Sequence, residues 1–224
     1  MKLSVIIPVF NEETTIEEVI DRVNKVNVEK EVIVVDDGST DGTVEAIRKK
    51  EHEVTKLHIS PVNFGKGAAI RVGLTYVTGD VIVIQDADTE LDPQEYHHLL
   101  SEIEAGADVV YGSRFLKPNP NIPRITRLAN RFLTLLTNIL FRSRLSDMET
   151  AYKMFRTEVA GHLNLKCVGF EIEPEITAQF LKLGCKIAEV GISYNPRTPD
   201  EGKKITCRDG VRAIYYLFLY RFFR

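Results

Sequence analysis

Hydrophobic positions in the first half of the chain follow two alternating rhythms. Leu3–Val9 is a continuous apolar run, the pattern of a strand covered on both faces. From Glu12 to Val26, Ile16, Val19, Ile20 and Val23 recur at helical spacing behind an acidic first turn. Val32–Val35 predicts a second buried strand, Thr43–Lys50 a short helix and Val54–Ile59 a third strand. Lys66–Val77 follows as a helix and Val81–Ile84 as a fourth strand. Asp92-Pro93 puts proline in the first turn of a helix running to about Ala105, and Val109–Tyr111 reads as a fifth strand. The second half is less regular. Arg124–Arg142 predicts a basic amphipathic helix with Leu128, Phe132, Leu135, Leu136 and Ile139 on one side. Residues 146–156 mix polar and apolar positions, Glu173–Leu183 is helical, and Ile187–Tyr194 reads as a strand. The loop 195–203 and an aromatic helix, Asp209–Phe223, complete the chain.

This order predicts an α/β fold, a single domain with a mostly parallel central sheet flanked by helices. Such sheets bind ligands at the carboxyl ends of their strands. The polar clusters fall there: Asn11-Glu12 after the first strand, Asp36-Asp37 after the second and Asp86-Ala87-Asp88 after the fourth.

Composition narrows the function classes. The 224 residues suffice for one large core. The formal net charge of -3 provides no basic field for nucleic acid. Cys167, Cys185 and Cys207 lack metal-type spacing and read as free thiols of a reducing compartment. The start of the chain has no signal-peptide pattern, and no apolar stretch reaches the ~20 residues that cross a bilayer. The expected location is therefore the cytoplasm.

Asp86, Asp88 and Glu90 carry the sharpest chemical signal. Carboxylates at the end of a buried strand repel one another unless a cation intervenes, and oxygen-only ligands suit Mg2+ or Mn2+. Asp88 and Glu90, two apart, could share one ion while Asp86 meets a nucleoside; an acidic turn before Asp92-Pro93 is the plainer reading. In Asp36-Asp37-Gly38-Ser39-Thr40-Asp41-Gly42, Asp41 is a helix cap and Asp37 lies nearer a ligand. Gly65-Lys66-Gly67-Ala68-Ala69 lacks the endings of both phosphate-loop motifs, so close helix packing is favoured. Arg114, Arg124, Arg127, Arg131, Lys153, Arg197, Lys203 and Lys204 form a basic set suited to phosphate oxygens, or to an ordinary solvated surface. The five histidines show no ligand or triad pattern.

Taken together, Ser4–Glu12, Val34–Thr43, Asn63–Ala69 and Asp86-Ala87-Asp88 resemble the family-2 glycosyltransferases with the GT-A fold. Asp147–Lys153 and the Arg197…Lys203 loop resemble the polyprenyl-phosphate branch, which includes dolichyl-phosphate mannose synthases. The resemblance implies a GT-A domain over residues 1–207, with a nucleotide-sugar half (1–115) and an acceptor half (116–207), then an amphipathic helix at 208–224. It implies inversion, with a hexose moving from a GDP-mannose- or UDP-glucose-type donor to a polyprenyl phosphate. Pro8, Phe10, Glu12 and Asp37 would line base and ribose, and Asp86, Ala87 and Asp88 would hold the nucleotide sugar. Mg2+ or Mn2+ would sit on Asp88 and Glu90, with Asp86 beside them; glutamine often replaces Glu90 in that branch. Arg114, Arg197 and Lys203 would contact phosphates, while Arg127, Arg131 and Lys153 would serve the acceptor. Asp88, Asp147 and Arg114 form the expected catalytic set. Asp147 would act as base for a hydroxyl acceptor, or position sugar hydroxyls or Lys153 if the acceptor is already ionised. The aromatic, basic C-terminal helix suggests attachment to the inner membrane face. The alternatives are a soluble or protein-bound hydroxyl acceptor, and a non-catalytic nucleotide-sugar binder.

Overall fold

A computed structural model describes residues 1–197 and 207–223, apart from the side chains of residues 207 and 208. Its seven strands are β1 (Leu3–Val9), β2 (Lys30–Asp36), β3 (Lys56–Ile59), β4 (Val81–Ile84), β5 (Val109–Ser113), β6 (Lys153–Arg156) and β7 (Ile187–Gly191). They form one sheet in the order β3-β2-β1-β4-β6-β5-β7. The helices are α1 (Ile16–Lys25), α2 (Thr43–Lys49), α3 (Lys66–Leu74), α4 (Tyr96–Glu104), α5 (Arg124–Phe141), α6 (Thr157–Ala160), α7 (Ile172–Lys182) and α8 (Cys207–Phe222).

The continuous apolar runs divide between two cores because successive strand residues face opposite sides. Val5 and Ile7 of β1, Val32 and Val34 of β2, and Val81 and Val83 of β4 join one core with Ile16 and Ile20 of α1 and Leu99 of α4. Ile6, Ile33, Val35, Ile82 and Ile84 face the other core, with Ile70 of α3 and Ile176 and Phe180 of α7. A one-residue slip of any central strand would exchange its contributions to both layers, so the register is tightly specified.

The sheet is mostly parallel, with one exception. β6 runs antiparallel to β4 and to β5, wedged between them. The 146–156 stretch gave no strand signal, because β6 is four residues long and begins with a lysine. Its insertion carries the Asp147–Tyr152 turn to the edge of the sheet where the parallel strands end.

Ser4 is the second residue of β1 and is fully buried, which the apolar pattern does not explain. Its hydroxyl donates to Glu31, whose carboxylate also accepts from Lys2 Nζ at 2.8 Å and Thr78 N at 2.6 Å. Burial opposes ionisation of Glu31, but the hydrogen bonds from Lys2, Ser4 and Thr78 win and hold the carboxyl down at about 2. A depressed folded-state value stabilises the fold above the ordinary carboxylate range, and that stabilisation fades as pH falls toward 2. Thermal melts should therefore place Glu31→Gln below wild type at pH 7, with the gap narrowing on acidification; a gap that widens in acid contradicts this reading.

Candidate active site

Three loops meet at the carboxyl ends of β1, β2 and β4. Asn11 adopts a positive φ of 50° after β1, and its side-chain oxygen accepts from Thr40 N at 2.8 Å. Ser39 Oγ accepts from Asn11 N, and Thr43 Oγ1 from Glu12 N at 2.8 Å, so the loops after β1 and β2 are laced together. Asp41 accepts from Thr43 N at 3.0 Å but lies one residue before the helix cap, which is Gly42, so the expected cap is displaced by one position. Asp37 accepts from the amides of Phe64 (3.0 Å) and Gly65 (2.6 Å). Its carboxylate therefore shapes the floor of the site by pinning the loop before α3.

Gly65 has φ 107°, and a Cβ there would lie 2.3 Å from the Val168 carbonyl oxygen; a Cβ on Gly67 would lie 2.5 Å from the Cys167 oxygen. Close packing is thus the use of these glycines, with the 167–168 segment as the neighbour. Gly65→Ala combines left-handed strain with a backbone clash and should cost about 2 kcal/mol or more of stability, read from denaturant unfolding. An unchanged midpoint would show that the segment yields freely.

The carboxylates after β4 divide between two cations. Asp86 Oδ1 lies 2.7 Å from Lys66 Nζ, which also reaches Glu173 Oε1 at 3.2 Å. Asp88 Oδ2 is 2.8 Å from Arg197, whose other terminal nitrogen meets both oxygens of Glu12 at 3.0 and 2.9 Å. Glu90 accepts from Arg197 N and from the Tyr194 hydroxyl, each at 2.7 Å. Burial, with the charges of Asp86 and Glu90, pushes the Asp88 carboxyl up to about 7 despite Arg197. Among the described residues no three carboxylates or other ligating groups converge as a metal site. Asp86 therefore stands apart, paired with Lys66, while Asp88 and Glu90 face one cation together.

Arg114, at the end of β5, forms a two-pronged pair with Asp147: Nε to Oδ2 at 2.7 Å and NH2 to Oδ1 at 2.8 Å. The Arg114 amide also donates to Asp147 Oδ2, at 3.0 Å. Asp147 is fully buried and committed to Arg114, which does not suit the expected base for a hydroxyl acceptor, and the bonds of Lys153 go to Thr150 and Glu173 instead. Arg114 lines a cavity of about 340 Å³ together with Phe115, Asn119, Arg127 and Arg131. Three of the expected phosphate-binding arginines are thus brought together. Lys153 is not among them: it is fully buried in β6, bonded to Glu173 and the Thr150 carbonyl. An acceptor-phosphate role for Lys153 does not fit this placement, because a phosphate could reach it only by breaking a buried ion pair. Pro8 lies within β1, Phe10 follows that strand directly, and Ala87 is buried between Asp86 and Asp88. Lys203 lies outside the described residues.

Sequence reasoning missed Lys66, Glu173 and Tyr194. Lys66 stood inside a motif read as packing, and nothing local marks the other two.

A family model for glycosyl transferase family 2 matches residues 4–163. The chain is 29% identical over 226 residues to a dolichol-phosphate mannosyltransferase of Pyrococcus furiosus, covering 97% of this chain and 64% of that one. The chain thus spans just under two thirds of that relative's length. It is 28% identical to glycosyltransferase AglJ of Haloferax volcanii, covering 97% of this chain and 70% of the relative. Among solved structures, glucosyl-3-phosphoglycerate synthase from Mycobacterium tuberculosis, in complex with Mn2+, UDP-glucose and phosphoglyceric acid, superposes with a TM-score of 0.73 at 26% identity. That likeness covers 98% of this chain and 79% of the synthase. The seven-stranded α/β domain with its carboxylates at the strand ends is a GT-A glycosyltransferase fold, and the chain belongs to glycosyl transferase family 2.

Proposed function

We propose that this glycosyltransferase moves a hexose, with inversion, from a nucleotide diphosphate sugar to a polyprenyl phosphate at a membrane surface. The observation that carries the reading is the adjacency of two unlike sites. Carboxylates at the ends of β1 and β4 suit a ribose and a divalent cation, and the arginine-lined cavity after β5 suits an anionic acceptor.

The donor set fits Mg2+ or Mn2+. Asp88 and Glu90 offer only oxygens, already converge on a positive charge, and number the one or two carboxylates that Mg2+ takes beside substrate phosphates. A cation held there would supply positive charge to the departing diphosphate. Glu12 is placed to accept from a ribose hydroxyl once Arg197 leaves it. Arg197 would then turn from the carboxylates to the diphosphate oxygens that accumulate charge as the bond to the anomeric carbon breaks. The acceptor oxygen attacks that carbon from the opposite face, and the bonding electrons leave with the nucleotide diphosphate. Arg114, held rigid by Asp147, and Arg127 and Arg131 orient the acceptor phosphate. An ionised phosphate needs no base, which accords with the engagement of Asp147.

Arg197 competes with metal in this scheme. Arg197→Gln should raise the affinity for Mn2+ alone, measured by electron paramagnetic resonance of free Mn2+, and weaken nucleotide-sugar binding. Weaker Mn2+ binding in the variant would remove the competition.

The membrane part of the proposal rests on two packed helices. α8 docks on the domain through Ala213, Leu217 and Tyr220. Its Val211, Tyr215, Phe218 and Phe222 remain exposed, as do Ile125, Leu128, Phe132, Leu135 and Ile139 along α5. α5 carries three arginines and no acidic residue, so its apolar stripe has basic flanks suited to anionic lipid. No described helix is long and apolar enough to cross a membrane. Full-length protein should sediment with anionic vesicles, and Phe132→Glu should weaken sedimentation about tenfold or more; recovery in the supernatant removes the membrane from the account.

A hydroxyl acceptor is the second reading, favoured by the soluble phosphoglyceric acid in the M. tuberculosis complex. The two separate in a transfer assay with labelled GDP- and UDP-sugars, Mn2+ and a short polyprenyl phosphate. Label entering the organic phase supports the lipid acceptor; transfer only to phosphorylated alcohols such as phosphoglycerate overturns it.

A further inference from the structure

The turn between α5 and β6 holds a carboxylate that the scheme above does not use. Its neighbours are all fixed: Asp147 to Arg114, Met148 N to Thr134 Oγ1 at 3.0 Å, and Thr150 Oγ1 to the Gly112 carbonyl at 2.6 Å. Two residues on, the Tyr152 hydroxyl donates to Gln85 Oε1 at 2.7 Å, which bolts the turn to the residue before Asp86. Glu149 sits within this rigid frame, yet its Oε1 is shut from solvent and has no hydrogen-bond partner among the described residues.

The cations nearby are spoken for. The charges that act on Glu149 come from Lys153, Glu173, Arg114 and Asp147. Arg114 is closed by Asp147 on one side, and Lys153 by Glu173 on the other, with Lys66 joining Glu173 to Asp86. Burial, with Glu173 and Asp147, outweighs both cations and pushes the Glu149 carboxyl up to about 7. A buried, unsatisfied carboxyl is costly to keep, and such groups concentrate where a ligand completes them. The residue as a whole is partly exposed, so a turn of its side chain would bring Oε1 within reach of a ligand.

Position identifies the ligand's chemistry. Glu149 responds to Arg114, on the acceptor side, and to the Lys153–Glu173 pair, which Lys66 links to Asp86 on the donor side. Whatever is transferred from one side to the other must pass between them. That moiety is a sugar ring, neutral and rich in hydroxyls, and a carboxylate accepts from hydroxyl donors without needing a cation.

We propose that Glu149 binds hydroxyls of the transferred sugar and sets which hexose the enzyme accepts. This rests on the donor reading above and goes beyond it by naming a residue that reads the sugar rather than the nucleotide. A site built to bond a hydroxyl rejects analogues that cannot offer it, because its polar group is then left unpaired.

The test is calorimetric binding of UDP, UDP-glucose, GDP and GDP-mannose, each with Mn2+, to wild type, Glu149→Ala and Glu149→Gln. For the donor that wild type prefers, Glu149→Ala should lose about 10- to 100-fold in affinity for the nucleotide sugar and nothing for the matching nucleotide diphosphate. Glu149→Gln, which keeps an accepting oxygen, should recover part of the loss and guards against misfolding of the alanine variant. Unchanged sugar-nucleotide affinity in both variants overturns the proposal. An equal loss for the nucleotide diphosphate also overturns it, since the carboxylate would then act on the nucleotide or the fold. If wild type binds nucleotide diphosphates and none of the sugar nucleotides more tightly, the proposal fails while nucleotide binding stands. If wild type binds none of the four ligands, the donor reading itself falls and takes the proposal with it.

Discussion

Asp88→Asn should lower the transfer rate about 1000-fold, with a stability loss of no more than about 1 kcal/mol. The substitution keeps the size of the side chain and its acceptor for the Glu90 amide, now 3.1 Å away. It removes the negative charge that Arg197 meets at 2.8 Å and that a divalent cation would need. Three powers of ten correspond to about 4 kcal/mol of transition-state stabilisation, the scale expected for charge placed beside a departing diphosphate. The folded state should change little, because removing one carboxylate from a crowded set also relieves repulsion from Asp86 and Glu90. Single-turnover transfer with saturating donor and Mn2+ measures the effect. A variant within tenfold of wild type would remove Asp88 from the chemistry.

Asp147→Ala should have the largest effect on stability, about 3–5 kcal/mol, read from the urea midpoint. Both oxygens of Asp147 are engaged by Arg114, and the carboxylate has no solvent exposure. Removing it leaves a guanidinium stranded in a site from which water is largely excluded. The ion pair need not itself be a strong source of stability; the cost comes from breaking it on one side only. Asp147→Asn keeps one accepting oxygen and should lose less, while still loosening Arg114 and slowing transfer. If Asp147→Ala unfolds at the wild-type midpoint, Arg114 has another way to be satisfied and its proposed rigidity is lost.

Much of the fold is legible in the sequence because its central strands are buried on both faces. A run such as Val81–Ile84 has no polar residue to blur it, and helices whose apolar stripe faces a sheet repeat with a clear period. The short antiparallel β6 is invisible for the opposite reason. Lys153 is its first residue, and its burial is possible only because Glu173, far along the chain, neutralises it. Glu31 and Ser4 are hidden in the same way: each is an ordinary polar residue until the fold brings Lys2 and Thr78 to Glu31, and Glu31 and Gly79 to Ser4.

The site divides along similar lines. The positions of Asp86, Asp88 and Glu90 at a strand end follow from local pattern. Their partners do not. Which carboxylate faces Lys66 and which faces Arg197 depends on how the backbone turns after β4, since residues two apart would leave an extended strand on the same side. Arg197 lies 107 residues from Glu90, and only the family resemblance placed it near the donor. The amphipathic pattern of α5 is plain in the sequence, but no sequence pattern reveals that its stripe faces outward while Leu133 and Thr137 take the inner side.

The most direct test of the account is release of nucleotide diphosphate from GDP-mannose and UDP-glucose, followed with and without Mn2+, by wild type and Asp88→Asn in the presence of a polyprenyl phosphate. Release by wild type that stops with a chelator and falls about 1000-fold in the variant is the predicted result. Release that survives chelation, or an Asp88→Asn variant as fast as wild type, would contradict a metal-assisted departure centred on the end of β4.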